Sequence, residues 1–240
     1  MSGGILSEIK RWGNDLLRIF FPPVCHVCGK PLVEGECIIC LECDMKMPRT
    51  MYHTDPDNPL YYKLIGHSRL ERATAMFGYV RENPYAALIT RAKYDGHPEI
   101  VDNLAERYAR ELLPAGFFDG IDLLQPVPMF RWKKVKRGYN QAEIIADAIS
   151  RVSGIGVGNL LVARSHTSQT KKSSYQRLLN ARNIYSAVPE AIKDPGLQHV
   201  LLIDDVITTG ATIVSCCEAL YRERPTMKIS VLTLAATQSF

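Results

Sequence analysis

The chain has 240 residues, 46% hydrophobic and 22% charged, an ordinary globular composition with length for one large domain and a small appendage. Its formal net charge of +4 is too modest for the whole-molecule field to mark a nucleic-acid binder by itself. The N-terminal stretch is broken by charges every few residues and so lacks the apolar run expected of a signal peptide or a membrane span.

That stretch, "ILSEIKRWGNDLLRIFF", places Ile5, Ile9, Trp12, Leu16 and Ile19 with Phe20 at helical spacing and predicts an amphipathic helix. "FPPVC" ends it, because two prolines cannot continue a helix. With no export signal, the chain is expected in the reducing cytoplasm, where clustered cysteines mean metal rather than disulfides.

Cys25-x-x-Cys28 and Cys40-x-x-Cys43 form two knuckles with eleven residues between them, and Cys37 is an extra thiol inside the same stretch. Four thiolates so paired predict a closed tetrahedral zinc site, structural rather than catalytic, with Gly29 permitting the first tight turn. Cys37-x-x-Cys40 is an alternative second pair, and His26 lies inside the first knuckle. Cys40 with Cys43 is preferred because that pair stands directly before "DMKMP" and leaves the longer loop between knuckles.

"HTDPDNP" then reads as a linker, which divides the chain into residues 1–65, helix plus zinc module plus linker, and residues 66–240, a single α/β domain. Within the latter, "ATAMFGYV" predicts a strand, Asn83-Pro84 opens a helix to about Lys93, and "HPEIVDNLAERYARELLP" predicts a second helix. The strand "IDLLQPVPM", the helix "NQAEIIADAISRV", the short strand "LLVAR" and the edge strand "NIYSAV" follow. The strand "HVLLIDDV", the helix "TIVSCCEALYRER" and the strand "MKISVLTLAAT" close the series. Apolar strands alternating with helices predict a parallel sheet covered on both faces. Cys216 and Cys217, mid-helix among apolar residues, read as core.

Val200 to Ile203 is continuously apolar, as a central parallel strand requires, and delivers Asp204 and Asp205 to its carboxyl end, where open α/β sheets bind ligands. Thr208, Thr209, Gly210, Ala211 and Thr212 then lead straight into a helix whose free N–H groups and positive dipole end face the same crevice. Small side chains let backbone wrap a phosphate while the carboxylates accept hydrogen bonds from hydroxyls or help hold a metal. A phosphorylated sugar offers both partners. The G-x-x-x-x-G-K-[ST] loop is absent, and "GIGVGN" fails G-x-G-x-x-G at Asn159.

Charge is unevenly spread. Five Lys/Arg fall between Arg131 and Arg137, and no acid stands between Asp147 and Glu190, where Arg151, Arg164, Lys171, Lys172, Arg177 and Arg182 are basic. These segments read either as solvated loops or as contacts to a polyanion. Asn140 and Gln141 read either as a helix N-terminus or as functional side chains.

"VLLIDDVITTGAT" resembles the phosphoribosyl pyrophosphate (PRPP) motif of type I phosphoribosyltransferases. With the cysteine knuckles, "PVPMFRWKKVKRGYNQAEIIA" and "ARSHTSQTKKSSYQRLLNARNIYSAV", the chain resembles the ComF family, whose proteins are associated with bacterial DNA uptake and competence. The resemblance implies a type I phosphoribosyltransferase-like parallel sheet flanked by helices, carrying a small N-terminal zinc module held by four cysteines. It implies that Asp204 and Asp205 bind the ribose 2- and 3-hydroxyls, Thr208 to Thr212 the 5-phosphate, and the segment through Arg137 and Gly138 the pyrophosphate. Arg164, Lys171, Lys172, Tyr175, Gln176 and Arg177 would belong to a flap closing over PRPP, with Mg²⁺ accompanying the pyrophosphate. Two functions follow as expectations: displacement of pyrophosphate from PRPP by a nitrogen acceptor, or a non-catalytic module that senses PRPP and contacts single-stranded DNA or DNA-uptake proteins.

Overall fold

The computed structural model describes residues 22–65, 68–164 and 184–237. The expected N-terminal helix and the flap residues Lys171, Lys172, Tyr175, Gln176 and Arg177 lie outside the described residues. The chain divides into two compact units between Met47 and Pro48.

In the first unit the described residues carry little regular structure: one short helix, α1 (Leu41–Met45), and an isolated antiparallel bridge between Val24 and Pro31. Leu32, Ile38, Ile39 and Met47 are buried, together with Cys25, Cys40 and Cys43. Among the described residues this apolar cluster is small, which is the usual circumstance for a metal-stapled module.

The second unit is built on a sheet of four parallel strands in the order β1 (Arg72–Tyr79), β6 (Lys228–Thr237), β5 (His199–Ile207), β2 (Leu123–Pro126). Its helices are α2 (Pro59–Ile65), α3 (Ala86–Tyr94), α4 (Pro98–Leu112), α5 (Arg131–Arg137), α6 (Gln141–Ser153), α7 (Pro189–Ile192) and α8 (Ala211–Glu223). β5 is central, with Leu202 in register with Val231 on one side and Gln125 on the other. Strand parity assigns the two faces. Ala73, Ala75, Val200, Leu202, Ile229 and Val231 pack in one cluster with Leu60 and Leu64 of α2 and with Ile213, Cys216, Cys217 and Leu220 of α8. Thr74, of the opposite parity, hydrogen-bonds the buried Tyr108 hydroxyl on α4 at 2.6 Å. Apolar residues at Ile100, Leu104, Tyr108 and Leu112 give α4 the buried stripe it turns inward, and α4 packs on α6. The doubly covered parallel sheet is therefore the α/β fold that the alternating pattern required.

Three elements depart from their sequence readings. β3 (Leu161–Ala163) and β4 (Tyr185–Ala187) pair antiparallel with each other as a separate two-stranded sheet instead of joining the parallel one. Three-residue strands are too short to be recognised as parallel or antiparallel by pattern. The basic segment read as a loop is the helix α5, which buries none of its residues and ends at Gly138 in the left-handed conformation, φ 88°. The stretch "HTDPDNP" holds a 3₁₀ turn (Tyr52–Thr54) and the start of α2, and it packs on β1. Asn58 organises it: its Nδ2 donates to the carbonyls of Tyr52, Asp55 and Ala73, and its Oδ1 accepts from Tyr61 N–H. Asn, Asp and Pro look alike in a loop and in a capped, buried turn, so composition alone does not separate the two.

Asn58 is 2% exposed. Asn58→Ala is therefore expected to lower stability by about 3 kcal/mol, because it strands buried backbone groups. Urea unfolding of the full chain checks this, and a loss below about 0.5 kcal/mol would mean that the turn holds without its side-chain clasp.

Candidate functional site

Two sites stand in the two units. In the first, the sulfurs of Cys25, Cys28, Cys40 and Cys43 lie within 4.8 Å of one another, and Cys28 Sγ is 3.7 Å from Cys40 Sγ. Four sulfurs at about 2.3 Å from a tetrahedral zinc stand about 3.8 Å apart, so the spacing fits the metal. The first knuckle is closed by Gly29 N–H donating to Cys25 O at 2.8 Å, with Gly29 at φ 73°. Cys40 N–H donates to Cys25 Sγ at 3.3 Å. Burial opposes ionisation of Cys25, yet the N–H groups of Cys28, Cys40 and Val27 outweigh it and bring that thiol down to about 6. Cys43 goes the other way, pushed up by burial and by the three neighbouring sulfurs. A cluster that ionises one thiol easily and resists the next lacks a positive charge, and a divalent ion supplies it. The four sulfurs can hold a metal such as zinc. Cys37 is exposed and stands outside the cluster.

In the second unit, β5 brings Asp204 and Asp205 toward the carboxyl edge of the sheet and continues to Ile207, paired with Ala236. Adjacent strand residues point to opposite faces, so the two carboxylates diverge. Asp205 pairs with Lys93 of α3, Nζ to Oδ1 2.8 Å, both side chains largely buried. Asp204 points toward the α8 face, where Tyr185 and Cys216 feel its charge. Burial first and the Asp205 charge second push the Asp204 carboxyl up to about 7, against the pull of the Asp205 N–H. Like charges side by side are thus tolerated by giving one a lysine and leaving the other poised to hold its proton.

The loop after β5 is fixed at both ends. Thr237 Oγ1 donates to Thr208 O at 2.9 Å, and Lys63 Nζ of α2 donates to Thr237 Oγ1 at 2.9 Å. Thr208, Thr209, Ala211 and Thr212 are exposed while Gly210 is buried at φ 83°. A Cβ on Gly210 would come within 2.7 Å of Leu64 Cδ2, so both dihedral and space demand glycine. Gly210 is the N-cap of α8; Ala211 N–H turns to Thr209 Oγ1, and the next N–H groups have no carbonyl a turn back to bond.

β2 ends on the same edge and leads to α5. Asn140 caps α6 by accepting from Ala142 N–H and ties back to Val127 O, while Gln141 Oε1 receives Arg137 Nη1 at 2.7 Å. These two residues are thus a helix start, with Gln141 also orienting a cation. A cavity of about 390 Å³ opens beside them. Its cations are Lys93, Lys133, Lys136 and Arg137 and its rings Tyr94, Trp132 and Tyr139; none of the described residues lining it is acidic. Arg137 lies over the Tyr94 ring at 5.0 Å. Lys93 belongs to both places, lining the cavity and pairing with Asp205.

Among the sequence-predicted residues, Thr208 to Thr212 follow Asp204 and Asp205 at one sheet edge, and Arg137 with Gly138 follows β2 to the same edge. Lys171 and Lys172 lie outside the described residues. Lys93 and Lys63 escaped sequence reasoning. Each is a lone lysine near the end of an amphipathic helix, with no motif around it to single it out.

No protein-family model matches the chain. It is 26% identical over 216 residues to DNA utilization protein YhgH of Escherichia coli (strain K12), across 84% of this chain and 92% of that protein. It is 25% identical over 211 residues to competence protein ComFC of Bacillus subtilis (strain 168), across 88% of this chain and 83% of that one. Competence protein F of Haemophilus influenzae is 36% identical over 90 residues, 37% of this chain and 39% of that protein. Among solved structures it is similar to the B. subtilis glutamine PRPP amidotransferase, with 18% identity and TM-score 0.37 over 55% of this chain; the chain spans a quarter, 25%, of that enzyme. Adenine phosphoribosyltransferase from Saccharomyces cerevisiae gives 13% identity and TM-score 0.35, over 72% of this chain and 87% of that one. The chain is a homologue of the competence and DNA utilization proteins, as the ComF resemblance implied. Among the described residues, no helix is long and apolar enough to cross a membrane.

Two predictions come from these sites. The purified chain should carry one zinc per molecule by metal analysis; Cys43→Ser should abolish it and Cys37→Ser should leave it unchanged. Because folding raises the Asp204 carboxyl to about 7, keeping it charged costs stability that grows as pH rises from about 4 to about 7. Asp204→Asn should therefore melt several degrees above the wild type at pH 8, with the two converging toward pH 4, since about 1 kcal/mol moves Tm by about 2–4 °C at this size. Equal melting at pH 8 would mean that Asp204 is not strained.

Proposed function

We propose that the second unit binds PRPP at the carboxyl edge of β5 and that the first is a structural zinc module. The observation that carries this reading is the arrangement itself: two carboxylates on a buried central strand, then a tethered loop of small residues opening a helix N-terminus. Thr208, Thr209, Gly210, Ala211 and Thr212 take the 5-phosphate through backbone N–H groups and hydroxyls. Asp204 and Asp205 accept hydrogen bonds from the ribose hydroxyls. Arg137 and Gly138, with Lys171 and Lys172 of the flap, meet the pyrophosphate.

Mg²⁺ fits this site only in company. With Lys93 already on Asp205 and burial raising Asp204, the pair is a poor cage for a divalent ion and a good acceptor for hydroxyls. Mg²⁺ would arrive on the pyrophosphate and neutralise it there. If transfer follows, a nitrogen acceptor displaces pyrophosphate from C1, and Asp204, Asp205 and Arg137 contribute by positioning the sugar and stabilising the leaving charge.

A second reading keeps binding and drops turnover. The names of the relatives, DNA utilization and competence proteins, favour it: PRPP would be sensed, and basic surfaces such as α5 would contact single-stranded DNA or DNA-uptake proteins.

Phosphorus NMR of Mg²⁺-PRPP with the zinc-loaded chain and a pool of nucleobases and amines separates the two readings. The double substitution Asp204→Asn, Asp205→Asn serves as control. Pool-dependent pyrophosphate above the control supports transfer, and line broadening without turnover supports the sensing module. Spectra identical to those of the control would sink PRPP binding altogether.

A further inference from the structure

The basic helix α5 sorts its charges by direction. Lys134 turns to Glu143, with its Nζ 2.9 and 2.7 Å from the two carboxylate oxygens, and takes no part in the cavity. Lys133, Lys136 and Arg137 line it instead, and among the described residues none of the three has a carboxylate partner. Arg137 is held in place by Gln141, whose Nε2 in turn donates to Ala92 O, and Tyr139 OH donates to the same carbonyl. The guanidinium is therefore set before any ligand arrives, which is how a phosphate site gains affinity.

Cations are only half of the lining. Trp132 and Tyr94 are large rings left 60% and 72% exposed at the cavity, a cost in water that a bare phosphate or pyrophosphate would not relieve. The volume, about 390 Å³, lies within the range of about 300–1,000 Å³ usual for small-molecule sites. Rings beside one fixed guanidinium and two lysines, with no acidic side chain among the described lining residues, match a ligand that is flat at one end and anionic at the other.

We propose that this cavity takes a nucleotide, its heteroaromatic base stacked on Trp132 and Tyr94 and its phosphate met by Lys133, Lys136 and Arg137. The inference shares Arg137 with the PRPP reading and goes beyond it in assigning the aromatic half of the cavity. Lys93, common to the cavity and to Asp205, then makes the two ligand positions neighbours.

Calorimetry on the zinc-loaded full chain tests it with AMP, adenosine, inorganic phosphate and a short single-stranded oligodeoxynucleotide. AMP should bind at least about tenfold more tightly than adenosine or phosphate. Trp132→Ala should weaken AMP by about tenfold, as loss of one stacked base contact does, while leaving phosphate affinity within about twofold. The exposed position of Trp132 spares the fold, and an unchanged melting curve verifies that. The roughly tenfold effect of Trp132→Ala on AMP should persist in the Asp204→Asn background, and its disappearance there would place the base at the carboxylates and overturn the inference. AMP no tighter than phosphate, no effect of Trp132→Ala, or binding of the oligonucleotide alone would overturn it equally. PRPP titrated in parallel decides the preceding reading separately.

Discussion

A parallel strand buried on both faces can end in two adjacent carboxylates only if each is neutralised, by a counter-charge or by holding its own proton, and Lys93 supplies the counter-charge for Asp205 at 2.8 Å. Removing one partner of so buried a pair typically costs about 3–5 kcal/mol, because the other is left charged in a poor solvent. The placement of α3 against α4, and of α4 against the sheet face opposite α8, is what brings Lys93 there. Asp204, on the other side of the strand, receives no such partner and is pushed up to about 7. Two adjacent residues with the same chemistry are thus given different protonation behaviour by the parity of a β-strand.

The same constraint organises the edge around them. Thr237, one residue of β6, links the loop carbonyl of Thr208 to Lys63 of α2. The helix that begins at the last residue of the stretch read as a linker therefore helps hold the loop where a phosphate is proposed to sit. Leu64, one residue further, closes the space over Gly210. A mobile loop would have to be ordered by its ligand, whereas this one is tied at its start and capped at its end before any ligand binds.

Much of this was legible in the sequence, for identifiable reasons. The run Val200 to Ile203 could only be a central strand, because four consecutive apolar residues need cover on both faces. The cysteine spacing predicted the cluster of four sulfurs, since sulfur positions follow from the tight turn of each knuckle. The antiparallel pairing of β3 with β4 was not legible: three-residue strands carry no periodicity. Lys93 was not legible as the partner of Asp205, because its place depends on which helices pack together, a tertiary fact that no local pattern encodes. Asn58 illustrates a third case. Its neighbours signalled a turn, but the carbonyl of Ala73 that makes it buried and saturated is on another element.

On the proposed reading, the carboxylates of β5 and the loop after it hold the two ends of one phosphorylated sugar. Calorimetric affinities of ribose 5-phosphate and 2-deoxyribose 5-phosphate for the full chain test this. A site built to bond both hydroxyls should bind the deoxy sugar at least about tenfold more weakly, since its loss leaves a buried carboxylate unpaired. Equal affinities for the two sugars would contradict the claim and leave only a phosphate-binding loop.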